Sequence, residues 1–158
     1  MLHFNILKAG TAEDAARLAA DRFQELICAK PACVLGLATG ATPVPLYREL
    51  IAREKAGLID FSRVHSVNLD EYKGLAPDHP QSYRRFMQEN LFDHIAIRPE
   101  NTYVPDGLTT DVAAMCAAYE RTIEELGGVD LQLLGPTTAT SASTSPAIIF
   151  PSVPTRWR

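Results

Sequence analysis

The chain has no excess of positive charge. Its 15 Lys and Arg against 19 Asp and Glu leave a formal net charge of -4, so the basic footprint of a nucleic-acid binder is missing. No apolar run approaches the roughly 20 residues of a membrane span. The N-terminus lacks a basic region followed by a long apolar core, which argues against a secretory signal. Cysteine is scarce. Cys28, Cys33 and Cys116 are odd in number and have no metal-type spacing, so three reduced core thiols of a cytoplasmic protein are expected. His3, His65, His79 and His94 form no metal-ligand set by spacing. There is no Gly-x-Ser-x-Gly elbow, no Cys–His signature and no internal repeat.

What is present fits one ordinary domain of 158 residues, 46% hydrophobic and 22% charged, a composition that buries a core. His3 to Leu7 is a short apolar run, read as a first strand. Thr11 and Asp14 form a capping-box variant before Ala15, Leu18, Ala19, Phe23 and Leu26, whose spacing predicts a helix over 12–29. Ala32–Leu37 is a continuous small-and-apolar run, the mark of a strand buried on both faces, and Val64–Leu69 and Val129–Leu134 are read as further buried strands. Between them, Thr42 is expected to cap a helix with Pro43 at its first position, ending at Gly57. Further helices are predicted over Ser82–His94 and Thr110–Leu126, with a short strand at Thr102–Val104. Alternation of strand and helix gives an α/β class: a three-layer, Rossmann-like parallel sheet with helices on both faces.

Two segments can carry chemistry, and both fall at carboxyl ends of strands, where open α/β sheets bind ligands. In Leu37-Ala38-Thr39-Gly40-Ala41-Thr42-Pro43, Gly40 and Ala41 let a ligand approach the backbone. Thr42 adds a hydroxyl, and the new helix adds free N–H groups and a positive dipole end. That suits a phosphate, although a purely structural turn has the same composition. In Val67-Asn68-Leu69-Asp70-Glu71-Tyr72, two adjacent carboxylates are costly at a buried strand end unless they serve a function or are well hydrogen-bonded. Beside a sugar, one could remove a proton alpha to a carbonyl. The alternative is a loop cap, or pairing with a cation such as Lys73. His94 is expected to act at a helix C-terminus, and His79 to cap the loop before a helix.

Together these segments resemble the glucosamine-6-phosphate deaminase family. The resemblance is carried by Leu35 to Pro43, by Val67-Asn68-Leu69-Asp70-Glu71-Tyr72-Lys73-Gly74-Leu75, by Asp78 to Met87 and by Leu91 to Ile95, and runs from about residue 3 to Gly135. The related 6-phosphogluconolactonases carry Arg where this chain has Tyr72, which disfavours a lactonase-like hydrolase. One departure is Gly40-Ala41, where the family commonly has two glycines. The resemblance implies opening of the glucosamine 6-phosphate ring, movement of the C2 proton, and release of ammonia with formation of fructose 6-phosphate, without a cofactor or metal. It maps the C2 base onto Asp70 and substrate contacts onto Thr39, Gly40, Ala41, Thr42 and Glu71. The partner it implies is a phosphorylated amino sugar, and it leaves a homo-oligomer open. A non-catalytic sugar-phosphate-binding module is the competing reading.

The pattern stops at Pro136, so residues 1–135 read as the N-terminal part of one domain that is C-terminally truncated. The family continues with Gly-His-Ile-Gly-Phe-Asn-Glu-Pro-Gly, which supplies its ring-opening His and that residue's carboxylate partners. This chain has Ala139-Thr140-Ser141-Ala142-Ser143-Thr144-Ser145-Pro146-Ala147 instead. Moving the reading frame back one base makes each new codon from the last base of one codon and the first two of the next. Read so, Ala139 permits Gly, Thr140 His, Ser141 Ile, Ala142 Gly, Ser143 Phe, Thr144 Asn, Ser145 Glu, Pro146 Pro and Ala147 Gly. Every letter of the missing motif is allowed in order. Residues 136–158 are therefore expected to be a frameshifted tail.

Overall fold

The computed structural model describes residues 7–134. The strand expected before Leu7 and the tail from Pro136 lie outside the described residues. Within them the elements are α1 (Ala12–Ala29), β1 (Val34–Leu37), α2 (Val44–Lys55), β2 (His65–Asn68), α3 (Tyr83–Asn90), β3 (Thr102–Tyr103), α4 (Val112–Glu125) and β4 (Leu131–Gln132). The four strands form one parallel sheet in the order β3-β2-β1-β4. The α/β class read from the alternating pattern is the one found.

One face of the sheet carries the main core. Ala16, Ala19, Ala20, Phe23 and Ile27 of α1 pack with Leu46, Tyr47 and Leu50 of α2, Met87 of α3, and Leu35 and Leu37 of β1. Arg53 ties α1 and α2 together, reaching Asp21 at 2.8 Å, Glu49 at 3.1 Å and Gln24 at 2.9 Å. Side chains alternate across a strand, so Gly36 and its register partners Val67 and Gln132 face the other way. A Cβ on Gly36 would fall 1.9 Å from the Gln132 side-chain oxygen, so the glycine is what lets Gln132 lie across β1.

Connectivity puts α4 over that second face. The chain runs β1 to β2 to β3 in one direction and then returns across the sheet to β4. Right-handed crossovers place helices of opposite travel on opposite faces. Tyr119 is the contact of α4 with the sheet: its hydroxyl donates to Asn68 O at 2.8 Å or Tyr103 O at 2.9 Å, and accepts from Asn68 N at 3.2 Å. Otherwise α4 buries no residue among those described. Two of the three expected core thiols are accordingly corrected. Cys28 and Cys116 are exposed, on solvent-facing helix positions, and only Cys33 is buried. Burial pushes the Cys33 thiol up to about 12, so it is an inert core group.

The return across the sheet has a second consequence. At β1 the strand order reverses, with β2 on one side and β4 on the other. That topological switch point opens a crevice at the carboxyl ends of the strands. The turn after β1 and the acidic pair after β2 both lie at that end of the sheet.

Candidate functional site

The end of β1 is held rigidly. The buried Tyr47 hydroxyl donates to Ala38 O at 2.5 Å and accepts from Ala38 N at 3.1 Å. Beyond it Gly40 has φ of +100°, a conformation that L side chains rarely adopt. The expected Thr42 cap is not formed. The helix starts later, with Pro43 at the cap position and Pro45 within its first turn, and no side-chain cap bond. Counted from Thr42, Pro45 stands at the third helical position and has no N–H to give that hydroxyl. Among the described residues, no hydrogen bond occupies the backbone N–H groups of Gly40, Ala41 and Thr42. Thr42→Val is therefore expected to change stability by less than about 0.5 kcal/mol. Thermal unfolding that shows the roughly 0.5–2 kcal/mol loss of a true N-cap would contradict this geometry.

The structure divides the expected turn. Gly40 lines a cavity of about 580 Å³ with Tyr72, Lys73, Ser82, Tyr83 and Phe86. Ala41 and Thr42 line a separate hollow of about 260 Å³ against Ala12, Ala15, Ala16 and Pro45. Thr39 is half-buried and faces the Tyr83 hydroxyl. A third cleft, of about 520 Å³, lies between Glu71, Arg84, Tyr103 and Tyr119 and does not include the turn.

Asp70 and Glu71 follow β2 directly, and the fold gives them opposite environments. Asp70 reaches solvent and has no salt-bridge or hydrogen-bond partner among the described residues; Lys73 does not pair with it. Partial burial, and then the neighbouring Glu71 charge, hold its pKa above the ordinary Asp value. Burial also acts on Glu71, but four donors outweigh it and hold that carboxyl below its ordinary value. Oε1 accepts from Tyr72 N at 2.8 Å and Tyr83 N at 2.9 Å. Oε2 accepts from Ser82 Oγ at 2.8 Å and Arg84 N at 3.0 Å. Glu71, expected among substrate contacts, is thus committed to the first turn of α3.

Some residues near Asp70 were not singled out from sequence as site residues. Tyr83 enters the site through α3, with its ring centroid 4.7 Å from that of Tyr72. Ser82 starts α3 as its N-cap, accepting from Arg85 N. The signal was available in the Ser82-Tyr83 pair opening an apolar period. The histidines stay local. His79 Nδ1 accepts from Gln81 N at 3.1 Å, and His94 Nε2 lies 2.9 Å from Glu89 O near the end of α3. Among the described residues no group of three His, Cys, Asp or Glu could hold a metal ion, and no helix is long and apolar enough to cross a membrane.

Residues 8–136 match the family model for glucosamine-6-phosphate isomerases/6-phosphogluconolactonase. A glucosamine-6-phosphate deaminase of Clostridium perfringens (strain SM101 / Type A) is 54% identical over 123 residues, 78% of this chain and 51% of the relative. Another, of Hahella chejuensis, is 52% identical over 130 residues, 82% of this chain and 49% of the relative. A solved monomeric glucosamine-6-phosphate deaminase superposes with a TM-score of 0.79 at 38% identity, covering 82% of this chain and 54% of its own. The 6-phosphogluconolactonase of Thermotoga maritima shares the fold, with a TM-score of 0.61 at 24% identity over 77% of this chain and 53% of its own. The chain spans about half the length of the curated relatives it matches.

Proposed function

Because the chain belongs to the family of glucosamine-6-phosphate isomerases and 6-phosphogluconolactonases, we propose that it carries the first half of a site that converts glucosamine 6-phosphate and water to fructose 6-phosphate and ammonia. The observation that carries this reading is Asp70. It is a carboxylate with a raised pKa and no partner among the described residues, placed at the carboxyl end of β2, two residues before the Tyr72 that lines a cavity with Gly40 and Tyr83. In the ring-opened sugar, C2 lies next to the C1 carbonyl. Asp70 takes the C2 proton, and the electron pair forms the C1–C2 double bond of an enol. Return of a proton at C1 leaves an imine at C2, which water hydrolyses to the ketone with loss of ammonia. Thr39 and the open N–H groups of Gly40, Ala41 and Thr42 are the proposed phosphate contacts, supported by the dipole of α2.

The deaminase reading is preferred to the lactonase one because the deaminases quoted are more than 50% identical and the lactonase only 24%. A phosphorylated sugar is charged and does not cross a bilayer unaided, and we place the protein in the cytoplasm with it. We also propose that residues 136–158 are read out of frame, and that the restored frame supplies the ring-opening group. The test is an assay of the frame-restored protein on two substrates. Ammonia should appear from glucosamine 6-phosphate, and 6-phosphogluconolactone should hydrolyse no faster than in buffer. Lactone hydrolysis without ammonia release would reverse the assignment.

A further inference from the structure

We propose that Glu71 is a positioning residue that acts through Tyr83, and that Tyr83 with Tyr72 forms the sugar-contacting wall of the cavity beside Asp70. The inference deepens the deaminase reading and rests on it.

Three of the four hydrogen bonds to Glu71 join the tip of β2 to the start of α3, eleven to thirteen residues further along the chain. Two of the donors, Tyr83 N and Arg84 N, are first-turn N–H groups that have no partner inside a helix. A negative charge there is also favoured by the helix dipole. Glu71 shares that turn with Ser82, which accepts from a third N–H, that of Arg85. It also stands beside Asp70, whose charged form it disfavours. What the carboxylate adds is the location of Tyr83, whose backbone N–H it holds directly.

The consequence is visible at the far end of that side chain. The Tyr83 ring lies against Tyr72, and its hydroxyl faces Thr39, Tyr72 and Asp70. Tyr72 is 52% exposed, an unusual position for a large aromatic unless something covers it. Two rings on one wall suit the C–H face of a hexose, and a phenol suits its hydroxyls. The Tyr72 hydroxyl first, then burial and the nearby Asp70 charge, push the Tyr83 phenol up to about 12, so at neutral pH it is a hydrogen-bond donor. The wall and the base thus address the same ligand, a phosphorylated aminohexose with one hydroxyl held by Tyr83.

The test is a double-mutant cycle on the frame-restored protein, with NMR on the 158-residue chain. Glu71→Gln keeps the shape but turns an amide toward N–H donors. Tyr83→Phe keeps the ring and removes the donor. Each is expected to raise KM for glucosamine 6-phosphate by about 3–10-fold, the range of one hydrogen bond. The double variant should be no worse than the larger single, because residues acting through one another are not additive. In the 158-residue chain, the Tyr72–Tyr83 ring contact should give a cross-relaxation signal that persists in Tyr83→Phe and weakens in Glu71→Gln. Multiplying effects, an unchanged KM in Tyr83→Phe, or a ring signal untouched by Glu71→Gln would each overturn the proposal. Absence of ammonia from the unsubstituted frame-restored protein would instead remove the deaminase reading, and this inference with it.

Discussion

Asp70→Asn, made in the frame-restored protein, is expected to cut turnover by ~10²–10⁴-fold, the usual cost of losing an acid/base group. Asn has nearly the shape of Asp but cannot accept the C2 proton. The readout that isolates this step is exchange of the C2 proton with solvent, which should vanish with turnover. Stability should not fall. A folded-state pKa that is raised means the fold favours the neutral form. That contribution to stability is full below the unfolded pKa and is lost as pH rises through the folded one. At neutral pH the charged Asp70 is therefore no asset to the fold, and a neutral replacement removes nothing. The same shift predicts the acid limb of the rate profile. Activity should fall as pH drops through the raised Asp70 pKa, above the ordinary Asp range, because only the carboxylate is a base. Near-normal turnover in Asp70→Asn would remove this residue from the mechanism.

Glu71 titrates with the opposite sign. Its lowered pKa gives stability that is present above the unfolded value and lost as pH falls through the folded one. The two neighbours are therefore shifted in opposite senses: Asp70 takes its proton at a higher pH than an ordinary Asp, and Glu71 at a lower pH than an ordinary Glu. This separation comes from hydrogen bonding rather than from residue type, since burial alone would raise both.

The fold was legible in the chain because it rests on period and punctuation. The strands read at Ala32–Leu37 and Val64–Leu69 became the parallel strands Val34–Leu37 and His65–Asn68, and Thr11 capped α1 through Asp14 N. Thr42 was misread because Pro43 was placed inside the helix, at its first position, whereas it is the cap residue, and Pro45 lacks an N–H that a Thr42 cap would use. Two of the three core thiols were misread, because Cys28 and Cys116 occupy exposed helix positions. Cys116 lies on α4, which buries nothing among the described residues. The site was only half legible. Asp70 and Glu71 are identical in local pattern, and what separates them is the arrival of the α3 N-terminus on one of them. Such a contact is long-range, and no spacing rule in the acidic segment encodes it.

The largest contrast is expected between the two lengths of this protein. The 158-residue chain should release ammonia from glucosamine 6-phosphate no faster than buffer, and the frame-restored protein should recover the activity. The reason is topological. Parallel strands bring their carboxyl ends to one side, and β4 pairs with β1 in register Leu35 with Leu131 and Gly36 with Gln132. β4 therefore runs toward the same end of the sheet as the turn after β1, and Leu134, from which the remaining sequence continues, follows it. The resemblance puts the ring-opening His and its carboxylate partners in that segment. Here Ala139 to Ala147 contains only Ala, Thr, Ser and Pro, and none of these exchanges a proton near neutral pH. A base without the partner that opens the ring has no C1 carbonyl to work against, and residues that act as a unit leave little activity when one is missing. Among the described residues β4 is also paired on one edge only, and an open edge invites association between chains. Light scattering should then show the 158-residue chain associating at concentrations where the longer protein does not. Robust ammonia release by the 158-residue chain would show that the ring can be opened without the missing segment, and would overturn the out-of-frame account of the tail.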